Sequence, residues 1–278
     1  MNSANQTRTA QNLAAAGAWF DVRCRQEGHD VDAYLAQKAV VLLGETHDNA
    51  AHHRWQLDTF VGLHERRPNL ILGFEMFPRR IQPVLDRWSK GELEDVAFLA
   101  EVDWPRVWGF DPELYMPLFR FARSNKLPVL ALNVDRETNR QVAAAGFGSL
   151  PMQEREGVGE PAPASSRYQE RLRAWFERHS GAGGSAGLNP PRLERFIRAQ
   201  QFWDRAMAEA IAGALRHSIH SLVIGIMGSG HIEYGDGVPL QLNALGIRDV
   251  ATALPWTAEA VLPSGEPPIA DFVFGIKE

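Results

Sequence analysis

VVLLGETHDNAAHH, residues 40–53, is the stretch from which the rest of the chain can be read. Val40, Val41, Leu42 and Leu43 are apolar on both alternating faces, a pattern that suits a strand covered on each side of its sheet. Polar chemistry follows immediately in Gly44, Glu45, Thr46, His47 and Asp48. A carboxylate and an imidazole therefore stand at the end of a buried strand, just before an amphipathic stretch, NAAHHRWQLDTFVGLHERR.

The same punctuation recurs along the chain. NLILGFEMF, LPVLALNV, HSLVIGIMGSGH, IRDVATALPW and DFVFGI read as further buried strands, separated by helical stretches that include RLERFIRAQQFWDRAMAEAIAGALRH before HSLVIGIMGSGH. Alternation of this kind predicts an α/β fold with a mostly parallel central sheet flanked by helices. The pattern breaks between about 146 and 192. There, a Pro-, Gly- and Ser-rich run, one helix (SRYQERLRAWFERH) and a flexible link (SGAGGSAGLNPP) have too few apolar residues for a separate core. The expected organisation is one domain, 1–278, with a helical cap insert at 146–192.

Composition narrows the function classes. A formal net charge of -5 gives no polyanion-binding footprint, so nucleic acid is not an expected partner. The single cysteine, Cys24, supports neither a disulfide nor a thiolate metal cluster. No stretch reaches the length of apolar residues needed to span a bilayer, and the N-terminus as written shows no secretory pattern. The expectation is a cytoplasmic protein, periplasmic or membrane-anchored only if an N-terminal signal was removed.

Open parallel sheets bind ligands outside the carboxyl ends of their strands. Glu45 and His47, Glu75, Asn133 and Asp135, and His231 all fall at such ends. Helix capping competes for Asp48 and Asp135. Glu45 and Glu75, set in or beside apolar runs, need an imidazole or a cation as partner. As a group, Glu45, His47, Glu75 and His231 could serve as acid–base residues, and His47 and His231 could ligate a divalent metal. His52 and His53 read as a solvated helix face, and His64, His179, His217 and His220 as surface residues. In the helix at about 192–216, Gln200 and Asp204 interrupt an apolar stripe and require partners, either backbone or the wall of a site. GSGH lacks the GxGxxG order, and no GxSxG elbow occurs at a strand-to-helix turn.

GETHD, FEMFPRRIQPVLD, LPVLALNV, AQQFWDRAMAEAI and GSGHIEYGDGVPLQL, in that order, resemble the ChaN-like haem-binding family, also called the domain-of-unknown-function 399 group. The resemblance covers roughly residues 35–256. It implies an α/β fold with a helical cap, distantly related to Tiki and TraB proteins and to erythromycin esterases. It also implies haem held at a homodimer interface, two macrocycles face to face, with a tyrosine on each iron and basic groups on the propionates. Of Tyr34, Tyr115, Tyr168 and Tyr234, the favoured ligand is Tyr234 beside His231, then Tyr168, with Arg167 and Arg171 as cations. The alternative is a hydrolase of the Tiki or erythromycin-esterase kind that uses the Glu and His residues at the rim.

Overall fold

The computed structural model describes residues 14–179, 190–218 and 220–277. Most of the link expected at 180–191, and the first thirteen residues of the N-terminus, lie outside them. The strands are β1 (Trp19–Asp21), β2 (Gln26–Glu27), β3 (Val40–Glu45), β4 (Leu70–Pro78), β5 (Val129–Asn133), β6 (Leu222–Gly228), β7 (Val250–Thr257) and β8 (Phe272–Ile276). The helices are α1 (Val31–Ala36), α2 (Ala50–Arg66), α3 (Gln82–Ser89), α4 (Asp95–Glu101), α5 (Trp104–Val107), α6 (Met116–Ser124), α7 (Arg136–Ala145), α8 (Ser166–His179), α9 (Pro190–His217) and α10 (Val238–Ala244).

All strands lie in one sheet, in the order β2-β1-β8-β7-β3-β6-β4-β5. From β8 to β5 every pairing is parallel, as the doubly apolar runs predict. The short β1 and β2, which carry no such run, add an antiparallel edge that the sequence pattern did not disclose.

Period-two alternation sends side chains to two separate cores. Val41, Leu43, Phe74 and Ile226 face α2, α3 and α6, where Phe60, Trp88 and Phe119 are fully buried. Leu42, Val223, Met227 and Leu254 face α9 and α10, packing on Met207, Ala208 and Ile211. Each such side chain contributes about 1.5–3 kcal/mol of burial. Together these layers fix the carboxyl ends of three neighbouring central strands, β3, β6 and β4, side by side. Glu45 is in register with Gly228 there, and β4 slips register against β5 between Phe74 and Pro78.

After α7 the chain runs through short turns to α8, which lies against α9. Among the described residues no helix is long and apolar enough to cross a membrane.

Candidate functional site

Glu45 shares the face of Val41 and Leu43, whereas Glu75 shares that of Ile71 on the opposite side of the sheet. Each face builds its own relay. On the first, the Tyr115 hydroxyl donates to Glu45 Oε1 at 2.6 Å, and the same oxygen lies 2.7 Å from His47 Nδ1. The second Glu45 oxygen accepts from Gln56 Nε2 at 3.2 Å and lies 3.3 Å from His53 Nδ1. On the second face, the Tyr168 hydroxyl donates to Asp204 Oδ2 at 2.7 Å, and Asp204 Oδ1 lies 2.6 Å from His231 Nδ1. The two chains share one grammar: tyrosine, carboxylate, imidazole.

They converge at Glu75. Its Oε2 accepts from the Gly228 amide at 2.7 Å, and its Oε1 lies 3.4 Å from His231 Nε2. His47 closes in from the other side: a Cβ on Gly228 would lie 3.1 Å from His47 Cε1, 3.4 Å from its Nε2 and 3.7 Å from Glu75 Oε2. Glycine at 228 is what lets this imidazole approach the strand end. Thus the four residues expected at the rim meet there, and Asp204 joins them as the partner of His231.

The electrostatics follow from this crowding. Burial opposes protonation of His231, but the flanking Glu75 and Asp204 carboxylates overcome it and push the imidazole up to about 10. Burial likewise acts to raise Glu75, yet His231, His47 and the Gly228 amide hold it down at about 2. Asp204 is raised, because burial outweighs the help from His231 and Tyr168. His47 is raised despite burial, through its hydrogen bond to Glu45 and the charges of Glu75 and Glu45. Glu75 is thus a buried carboxylate held ionised with the protonated His231 on one side and His47 on the other.

The loop after β6 carries the remaining expected residues. Tyr234 has a left-handed backbone, with φ of 61°, and its amide donates to the Ile269 carbonyl at 2.7 Å. The Arg167 and Arg171 guanidinium carbons stand 5.4 and 5.1 Å from its ring centroid. Arg167 is paired with Asp236 at 3.0 Å, and Arg171 is paired with Glu233. Tyr168 is 2% exposed, its hydroxyl committed to Asp204. Arg167, Arg171, Tyr168 and Tyr234 therefore gather on the α9 side of the rim.

Comparison with known proteins can now be set beside this geometry. The family model described as haem-binding uptake, Tiki superfamily, ChaN matches residues 32–242. The chain belongs to the ChaN family. A solved ChaN of Campylobacter jejuni, described as binding haem cofacially, superposes with a TM-score of 0.74 at 19% identity, covering 92% of this chain and 95% of that one. An erythromycin esterase in an open conformation gives a TM-score of 0.50 at 13% identity, covering 91% of this chain and 81% of that one. Among curated proteins, RETICULATA-RELATED 5 of Arabidopsis thaliana, a chloroplastic protein, is 24% identical over 221 residues, and the match spans 29% of its length.

Two expectations for this ChaN-family chain need correction. His53 is not on a solvated face: it is 3% exposed, its Nδ1 is 3.1 Å from Gln56 Oε1 and its Nε2 is 3.1 Å from the His47 carbonyl. His52 is half-buried and accepts from the Thr46 amide through Nδ1 at 3.0 Å; burial first, then neighbouring His53, lowers it to about 4. Reading HHRWQ as a polar block hid the stripe His53, Gln56, Phe60, Leu63, whose spacing of three and four marks a core-facing side. Asp48 is exposed, and Asn49 instead caps α2 by accepting from Ala51 and His52. Asp135 sits at the N-cap position of α7 but gives its carboxylate to Arg80 at 2.7 Å. Tyr115, buried and bonded to Glu45, lies in no motif and was not singled out by the sequence reading as a rim residue.

Among the described residues no group of three His, Cys, Asp or Glu side chains is arranged to hold a metal ion.

Proposed function

We propose that this protein binds haem and acts in haem or iron handling, with Tyr234 as the iron ligand. The supporting observation is membership of the ChaN family across residues 32–242, joined to the placement of Tyr234 at the sheet rim. Tyr234 is preferred over Tyr168 because Tyr168 is buried with its hydroxyl held by Asp204. Two guanidinium groups stand over the Tyr234 ring, 5.4 and 5.1 Å from its centroid, beside the phenol that a ferric iron would take as ligand. Bound haem would supply the iron chemistry. The chain's own part is to fix the phenol by its backbone and to present Arg167 and Arg171, which would trade Asp236 and Glu233 for propionates.

Haem held between two copies is part of this proposal. Hemin titrated into the purified protein should give a high-spin ferric spectrum of the tyrosinate type at about one haem per chain. Tyr234→Phe should weaken or shift that spectrum; an unchanged spectrum would remove Tyr234 as ligand. Sedimentation with and without hemin tests the homodimer, which a strict monomer carrying bound haem would exclude.

A second reading is favoured by one specific observation, the pair of relays that meet at Glu75. In a hydrolase, His47 would be the general base: its side chain is 30% exposed, and Glu45 fixes its ring. His231 and Glu75 would hold charge behind it. His47→Ala should then abolish turnover of an ester or peptide while the fold persists. His47 keeps Nδ1 on Glu45, but His231 holds Nδ1 on Asp204 and Nε2 3.4 Å from Glu75, so a divalent metal shared by the two imidazoles would have to displace Glu75, and the metal-free acid–base version is preferred.

A further inference from the structure

A cleft of about 620 Å³ opens between α5, α7 and α9, over the carboxyl ends of β4 and β5. That volume suits a small-molecule ligand. Glu75 lines it, Trp108 and Trp203 contribute aromatic walls, and Arg80, Arg106, Arg136 and Arg140 line its polar side. Trp108 also packs edge-on against His47, with centroids 4.6 Å apart, so the cleft leads to the point where the relays converge.

The arginines are not equivalent. Arg80 is paired with Asp135 at 2.7 Å, and Arg140 is paired with Glu137. Among the described residues, Arg106 and Arg136 have no carboxylate partner. Arg136 donates from Nη2 to the Val107 carbonyl at 3.0 Å, which holds its guanidinium beside the turn that carries Arg106. Two cations without counter-charges thus share one concave surface with two indole rings. A guanidinium binds carboxylate or phosphate oxygens in a fork, with charge-assisted hydrogen bonds about twice as strong as neutral ones.

We propose that this cleft is a binding site for an organic anion bearing a carboxylate or phosphate group, anchored by Arg106 and Arg136 with its apolar part against Trp108 and Trp203. The anchored ligand would extend towards Glu75 and His47. The site is on different elements from Tyr234, Arg167 and Arg171, and does not depend on the haem reading.

The test uses no haem. Tryptophan fluorescence of the full chain is followed while inorganic phosphate, and separately succinate, is added at constant ionic strength. A saturable change with either probe is expected, and which probe binds tells phosphate from carboxylate recognition. Arg106→Gln, an exposed substitution, should weaken binding by about tenfold or more, the loss expected for one charge-assisted pair. Arg216→Gln, exposed at the far end of α9, should leave it unchanged. No saturable change with either probe, an identical change with sodium chloride, or undiminished binding by Arg106→Gln would each overturn the proposal.

Discussion

Replacing Tyr115 by Phe removes one oxygen from the interior and nothing else. The hydroxyl donates to Glu45 Oε1 at 2.6 Å and lies 3.3 Å from the His47 carbonyl, in a residue with no exposed surface. Hydrogen bonds to charged groups contribute about 1.5–3 kcal/mol, and the phenylalanine ring keeps the packing on Trp104 and Phe119, so a loss of about 2 kcal/mol is expected. In a chain of this size that corresponds to a fall in Tm of about 4–8 °C. A second readout separates this relay from generic damage. Glu45 Oε1 would then be left to His47 Nδ1 alone, concentrating its charge on the imidazole, so His47 should titrate at still higher pH. Thermal melts and a histidine NMR titration measure the two effects. An unchanged Tm, or a His47 that titrates lower, would refute the relay.

Other expectations follow from the same geometry. Asp204→Asn strips His231 of its shorter carboxylate contact and leaves a buried cation half-paired; denaturant unfolding should show a loss of about 3–5 kcal/mol, with His231 titrating lower. Glu75, depressed to about 2, contributes stability present above its ordinary 4.5 and lost as pH falls towards 2. His231, raised to about 10, contributes stability present below its ordinary 6.5 and lost as pH rises through 10. Tm against pH should therefore decline on both flanks, and Glu75→Gln should remove the Glu75 part of the acid decline and move the alkaline one to lower pH. Gly228→Ala places a methyl 3.1 Å from His47 Cε1; the fold should survive, with the imidazole displaced and its titration returned towards an ordinary value by NMR.

How far the site was legible depended on where each residue sits relative to a strand. Glu45, His47, Glu75 and His231 end apolar runs, and the rule for parallel sheets brings such ends together. Asp204 was half-legible as a polar residue in an apolar helical stripe, though nothing local named His231 as its partner. Tyr115 was illegible as a relay member, because an aromatic among Trp104, Trp108, Phe110 and Phe119 reads as core packing until the tertiary fold points its hydroxyl at Glu45, 70 residues earlier. The edge strands β1 and β2 are too short to show a periodicity at all. The side on which Glu45 and Glu75 stand was also beyond reach, since both strands are apolar throughout and alternation gives no parity signal.

The position of β3 has a bearing on how the chain comes off the ribosome. Its two neighbours in the sheet are β6 and β7, and Leu222 follows Glu45 by about 180 residues. At a synthesis rate of about 5–20 residues per second, β3 waits roughly 10–35 s without either flanking strand, while β4 and β5 can already pair. During that interval an apolar segment ending in a carboxylate has neither of its native neighbours to pair with. The Tyr168–Asp204–His231 relay cannot close before α9 and β6 have emerged, so a truncated or stalled product would carry Glu45, His47 and Tyr115 without the groups that position Glu75 against them.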